Sequence, residues 1–206
     1  MSDLVALNSY MHIDLSDRNA DLNTIRNQSD LAQYVTDKKK RVNKTFAYGG
    51  YGEKRTFYQS QLFQYVGEAR NIHLALDIWA EAGTELFTPL DAEVFSIQYN
   101  NKSLDYGHTL ILQHFEMGKK FYSLAGHLSA SIGQLWKKGD EIKKSQFMAQ
   151  IGDINENGGW CPHVHFQLIL DLHGNIGDYP GVCSEVDKEF YFNNCPDPTP
   201  LIIPKV

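Results

Sequence analysis

His163-Val164-His165-Phe166-Gln167-Leu168-Ile169-Leu170 is the stretch that decides the fold. Its β-branched and aromatic content reads as a strand over 163–170. Side chains alternate between the two faces of a strand, so His163 and His165 point the same way. On a helix, residues two apart splay. A second apolar run, His73-Leu74-Ala75-Leu76-Asp77, falls within a predicted strand near 72–79. His73 and Asp77 are four apart there and share a face, with the small Ala75 between them.

Further strands are predicted near 85–88, 92–99, 108–116, 119–126 and 147–151. Turns intervene at Ala82-Gly83, Asn100-Asn101, Lys138-Gly139 and Asn157-Gly158-Gly159. Many short strands with little helix imply an all-β core. Two segments echo each other faintly. Ala82-Gly83-Thr84-Glu85-Leu86 leads to Glu93-Val94-Phe95, and Lys138-Gly139-Asp140-Glu141-Ile142 leads to Ala149-Gln150-Ile151-Gly152. Each passes from a turn glycine through an acidic and an aliphatic residue to a strand, the pattern of a duplicated β-motif.

Residues 1–45 read as an N-terminal helical extension. Ser29-Asp30 is the expected cap of a helix whose Leu31, Tyr34 and Val35 share a face. The basic run Lys38-Lys39-Lys40-Arg41 would end that helix, where the macrodipole favours cations. Residues 46–206 read as the main domain, opened by the Gly/Tyr-rich stretch 47–52. Pro196, Pro198 and Pro200 lie close together, so an irregular C-terminal tail is expected, anchored by Leu201-Ile202-Ile203.

At 206 residues and 42% hydrophobic, the chain can bury one substantial core. A net charge of -6 and a pI near 5.7 argue against nucleic acid or an anionic membrane as partner. The first eight residues hold no basic leader and only a four-residue apolar stretch, and no segment approaches the length of a membrane span. Cys161, Cys183 and Cys195 are odd in number and lack a disulfide-framework spacing. These features together lead to the expectation of a cytoplasmic protein.

The clustered residue types point to metal-assisted hydrolysis. Paired strands would bring three imidazoles and a carboxylate around one point, and a catalytic zinc takes three protein ligands with one position left open. Two neutral imidazoles and one carboxylate leave net positive charge on the ion, which lowers the pKa of its water and polarises a carbonyl. His127, in Gly126-His127-Leu128-Ser129, and whichever of His163 and His165 is not a ligand remain as base and oxyanion stabiliser. Cys161, two before His163, would make Cys-x-His-x-His if it were a ligand. The ordinary alternative is a buried thiol.

As a set, His73-Leu74-Ala75-Leu76-Asp77, Gly126-His127-Leu128-Ser129 and Pro162-His163-Val164-His165-Phe166 resemble the lysostaphin-type zinc metallopeptidases, family twenty-three of the metallopeptidases. The resemblance runs from about Arg70 to Leu170. It implies a duplicated hybrid motif, an antiparallel β-sandwich or barrel-sandwich hybrid. It places the Zn²⁺ ligands on His73, Asp77 and His165 and the catalytic histidines on His127 and His163. Ala75 departs from the glycine usual in the family, which would set a methyl on the cleft floor. Glu156-Asn157-Gly158-Gly159-Trp160, Asp178-Tyr179-Pro180-Gly181-Val182 and Cys195-Pro196-Asp197-Pro198 resemble a narrower branch, fused to class-III aminotransferase and kinase-like domains.

The expected activity is hydrolysis of a peptide or small amide bond. The alternatives are a peptidoglycan endopeptidase and a non-catalytic module on the same fold. A D-Ala-D-Ala carboxypeptidase type ranks lower, because it usually separates its His and Asp by more than four positions. Tyr51, Arg55 and Tyr58, in the loop between Gly49 and Gln61, are candidate substrate-binding residues. His114 reads as a sheet histidine with its hydrogen bonds satisfied, and His12 and His173 carry no assigned role.

Overall fold

The structure, a computed structural model, describes residues 10–56, 64, 65 and 68–203. The strands in chain order are β1 (Tyr10–His12), β2 (Phe46–Gly49), β3 (Gln64–Tyr65), β4 (Glu68–Ala69), β5 (Ile72–His73), β6 (Leu76–Trp79) and β7 (Glu85–Phe87). They continue with β8 (Ala92–Asn100), β9 (Gly107–Glu116), β10 (Lys119–Leu128), β11 (Glu141–Ile142), β12 (Phe147–Gln150), β13 (His163–Ile169) and β14 (Val182–Cys183). Among the described residues four α-helices accompany them: α1 (Gln28–Arg41), α2 (Ile132–Leu135), α3 (Lys188–Asn194) and α4 (Thr199–Ile202). The all-β, antiparallel expectation holds. Eight strands form one sheet in the order β1-β2-β6-β13-β10-β9-β8-β11, antiparallel throughout except for the β1–β2 pair.

Alternation along β13 sorts the residues of that sheet between two cores. Val164 and Phe166 enter one cluster with Leu76, Ile78, Leu110, Leu112 and Ala125, closed from the other side by Leu86, Met148 and Ala149. Each such buried aliphatic or aromatic side chain stabilises by about 1.5–3 kcal/mol, so this face is strongly specified. A one-residue slip would turn the histidines into this apolar core and the apolar side chains to the polar face opposite. His163, His165, Gln167 and Ile169 are thereby turned to the opposite face, where Ile169 joins Ile72, Ile111, Leu124 and Cys183.

The two echoed segments embrace each other. β7 of the first pairs antiparallel with β12 of the second, and β8 of the first with β11 of the second. First strand meets last strand in both pairings, the exchange expected of two copies of one motif related by an approximate two-fold.

Three segments differ from the sequence reading. The run 72–79 is two strands: the chain breaks at Leu74–Ala75, so β5 pairs with β14 while β6 joins the large sheet. Asn27, rather than Ser29 or Asp30, caps α1. Its side chain accepts from the Asp30 amide, and Asp30 in turn accepts from the Arg26 amide. The tail also contains a turn of helix, α4, because Pro200 stands in its first turn, where the missing N–H breaks no intrahelical bond. Ile202 is buried in the main core, as an anchor should be.

Residues 10–45 pack on the sheet. β1 pairs with β2, and Leu31 and Val35 of α1 bury against Ile13, Leu15, Ala47, Trp79 and Cys161. Among the described residues no helix is long and apolar enough to cross a membrane.

Candidate metal centre

Register brings the ligand candidates together. His165 stands directly opposite Asp77 across the β13–β6 pair, and His163 stands opposite Trp79. The break after His73 lets the chain turn from the small β5–β14 sheet into the large one, so His73 approaches the same point from above. His73 Nε2 lies 3.3 Å from Asp77 Oδ1, His165 Nδ1 also 3.3 Å from Asp77 Oδ1, and the two nitrogens are 3.1 Å apart. Ligands about 2.0–2.2 Å from a tetrahedral zinc would stand roughly 3.3 Å from each other.

Tautomers show that this triangle is made for a cation. His73 Nδ1 donates to the Gly50 carbonyl at 3.1 Å, leaving a lone pair on Nε2. Gln167 donates its amide to the Pro180 carbonyl, so its Oε1 must face His165 and accept from Nε2 at 3.1 Å. That leaves a lone pair on His165 Nδ1. Two lone pairs 3.1 Å apart cannot bond to each other, and Asp77 Oδ1, fully buried, has no hydrogen-bond partner. A divalent cation satisfies all three atoms at once.

His127 and His163 complete the floor. His127 follows a bulge in β10, where the register with β9 shifts between Ala125 and Leu128, and it adopts φ +63. A left-handed conformation is unusual for a residue other than glycine and is sustained here by the His127 amide donating to the Tyr106 carbonyl at 2.7 Å. The bulge turns the imidazole to the His165 face, 4.3 Å from the His163 ring between centroids. His163 stacks on Trp79, with Trp160 edge-on. Each donates Nδ1–H to a carbonyl: His127 to Asn157 at 2.8 Å, His163 to Cys161 at 2.7 Å. Both therefore keep a lone pair on Nε2. Burial lowers the pKa of both rings, and it takes His73 down to about 3, so all three are neutral near pH 7. Burial alone would raise the Asp77 carboxyl. The neighbouring His73 and the permanent Arg55 cation outweigh it and hold the group well below the usual carboxylate range.

The model of peptidase family M23 matches residues 71–175.

The chain belongs to peptidase family M23. M23 peptidases are zinc-dependent, and His73, Asp77 and His165 of this M23 domain fit the ion. Among solved structures, a zinc-containing peptidase from Vibrio cholerae is 23% identical, with a TM-score of 0.43. That match covers 58% of this chain and 32% of the Vibrio chain, so the domain spans about a third of that peptidase. The catalytic domain of lysostaphin from Staphylococcus simulans is 18% identical with a TM-score of 0.45, covering 78% of this chain and 96% of the other. A catalytic domain of the prophage-encoded M23 protein EnpA from Enterococcus faecalis is 19% identical with a TM-score of 0.44, covering 66% and 88%. No curated protein matches the sequence.

The M23 domain distributes the remaining sequence candidates unevenly. Arg55 is 1% exposed and does not reach over the cleft. Its Nη1 donates to Asp77 Oδ2 at 2.6 Å, and its Nε donates to Glu53 at 2.9 Å. Tyr51 faces away from the centre: its ring packs on Phe192 and its hydroxyl donates to the Cys195 carbonyl at 2.7 Å. Tyr58 lies outside the described residues. Cys161 packs in the α1 cluster, where burial raises its thiol to about 12, and it contributes only a carbonyl to His163. Ala75 is fully buried and absent from the cleft lining, so its methyl does not crowd the floor. His114 is a satisfied sheet histidine, bonded to Asp91 O and Ser123 Oγ.

Sequence reasoning missed Gln167, Asn157 and Tyr106. Gln167 and Asn157 set the tautomers of His165 and His127, and Tyr106 supplies the carbonyl that holds the His127 backbone. Gln167 shares the strand face of His163 and His165, which was a usable signal. The other two lie far from their partners in sequence and left none.

Proposed function

We propose that this M23 domain is a zinc metallopeptidase or amidase whose substrates are short peptides or small amides of amino compounds. The observation that carries the reading is the size and lining of the cleft, a solvent-open pocket of about 260 Å³. Small-molecule sites run from roughly 300 to 1,000 Å³, so a cleft of this size accommodates a compact substrate. Leu31 of α1 lines it beside Trp79 and Trp160, and the loop 178–182 lines it beside His165. Both walls lie outside the stretch 71–175 that matches the family. The resemblance to domains fused with aminotransferase and kinase-like partners supports amino compounds as the substrate class. The unpaired, buried thiols of Cys161, Cys183 and Cys195 support a reducing, cytoplasmic setting.

Bound zinc supplies a Lewis acid that acidifies water and polarises the scissile carbonyl. The chain's own contribution is proton movement. His127 and His163 offer lone pairs on Nε2, so either ring accepts the proton released as water adds to the carbonyl. The ring that accepts it gains an N–H at the same atom, which then donates to the leaving amine as the C–N bond breaks. With the rings 4.3 Å apart, one charge discourages a second, so a single proton passes through the pair. Water ends as the hydroxyl of the new acid and one proton of the new amine.

Hydrolysis of a panel of di- to pentapeptides and amino-acid amides, followed by mass spectrometry beside turbidity of purified peptidoglycan, tests the reading. Turnover of the short substrates, with the turbidity of the intact wall unchanged, is expected. Efficient clearing of the wall would favour a peptidoglycan endopeptidase instead, and inertness of the zinc-loaded protein toward both would favour a non-catalytic module.

A further inference from the structure

Behind the metal centre a chain of charges runs Glu53–Arg55–Asp77, and the hydrolytic chemistry does not use its first two members. Glu53 Oε2 accepts from Arg55 Nε at 2.9 Å, and Arg55 Nη1 reaches Asp77 Oδ2 at 2.6 Å. Arg55 and Asp77 are 1% and 2% exposed. The residue is fixed further by its backbone and by an aromatic neighbour. Its backbone amide donates to the Asn71 carbonyl, and its Cζ lies 5.9 Å from the Trp79 ring, the same ring that stacks on His163. Gly50 at φ +116 makes room, because a Cβ there would collide with Arg55 Nη2 and approach His73 Nδ1 to 2.6 Å. Glu53 and Arg55 both precede the matched span 71–175.

The two oxygens of Asp77 are treated differently. Oδ2 is engaged by Arg55, whereas Oδ1 has no hydrogen-bond partner and faces His73 Nε2 and His165 Nδ1, 3.3 Å from each. A carboxylate free to rotate can give both oxygens to a metal, and the second would occupy the position that catalysis keeps open. Resting on the metallopeptidase reading above, we infer that Arg55 is a positioning residue that commits Asp77 to one-oxygen ligation. Glu53 balances the guanidinium charge, so the arrangement fixes direction without adding net positive charge beside the ion. The planar fork matters here: Nε and Nη1 bond two carboxylates in fixed relative directions, which a lysine ammonium cannot reproduce.

Cobalt(II) substitution reads this directly, because the intensity of its visible absorption separates four-coordinate from higher-coordinate sites. The variants are Arg55→Lys and the double variant Arg55→Met with Glu53→Gln, which removes both charges together. Circular dichroism establishes folding, and chelator competition gives metal affinity. We expect both variants to bind metal about 10–100-fold more weakly and their cobalt spectra to shift toward higher coordination. kcat should fall with KM little changed. Wild-type cobalt intensity and affinity in the folded double variant would overturn the assignment. If that variant does not fold, a wild-type spectrum in Arg55→Lys overturns it equally. Spectrum and affinity respond even if no substrate is turned over, so failure of the peptidase reading is distinguishable from failure of this one.

Discussion

Asp77 and His165 face each other in register across β6 and β13, and their ligand atoms lie 3.3 Å apart. One cross-strand pair thus supplies two of the three candidate metal ligands from neighbouring interior strands of the sheet. Removing the carboxylate should empty the site. Protein purified without added metal should carry near-stoichiometric zinc, and Asp77→Ala should lose most of it by elemental analysis. Full zinc in that variant would show that the ligands are misassigned.

His127 and His163 take no part in the ligand triangle. His127→Ala and His163→Ala are expected to retain zinc while hydrolysis of the best short substrate falls about 10²–10⁴-fold. If His163→Ala loses the metal and His165→Ala keeps it, the two histidines have exchanged roles.

Leu31 is 3% exposed and forms part of the cleft wall. Leu31→Ala should cost about 2–5 kcal/mol of stability, as core truncations do. It should also lower KM for longer peptides relative to dipeptides. An unchanged length preference in the folded variant would mean that α1 does not limit the substrate.

Gly50 adopts φ +116 between Arg55 and His73. Gly50→Ala combines a strained conformation with a steric collision, so a loss of stability beyond about 1 kcal/mol is expected, together with weakened zinc binding. Denaturation midpoints and chelator competition measure the two effects. Wild-type values for both would contradict the close approach.

The metal-free protein should be acid-sensitive. Burial lowers His73 from 6.5 to about 3 and depresses His127 and His163 as well. Between those folded values and 6.5 the unfolded chain binds more protons than the native state, so stability rises with pH in that window. The contribution is complete above 6.5 and is lost as pH falls toward the folded values. Asp77, held below 3.8, adds a further loss under that pH. Urea midpoints measured in chelator should therefore decline from about pH 7 to about pH 4, and a level profile would count against neutral buried imidazoles.

Much of this was legible from residues 72–170 alone. Side-chain alternation is a local property of extended backbone, so the shared face of His163 and His165, and the apolar face of Val164 and Phe166 behind them, followed directly from their order. The strands over 92–100, 107–116 and 119–128 were similarly visible from composition and turn residues. His73 and Asp77 were placed on one face by a continuous strand, yet they converge because the strand breaks at Leu74–Ala75. The partner was right and the geometry was not.

What the sequence by itself determined is the inventory and its local directions: an all-β chain, three imidazoles and a carboxylate at strand spacing, and a helical N-terminal segment. Tertiary structure alone decided that Arg55 leaves the surface for Asp77, that α1 walls the cleft through Leu31, and that Tyr51 turns to Cys195. Those outcomes depend on which distant segments pack together. Pairing across 22 residues, as for Arg55 and Asp77, or across 144, as for Tyr51 and Cys195, is selected by the burial and hydrogen bonding of the whole fold. No window of neighbouring residues carries that information.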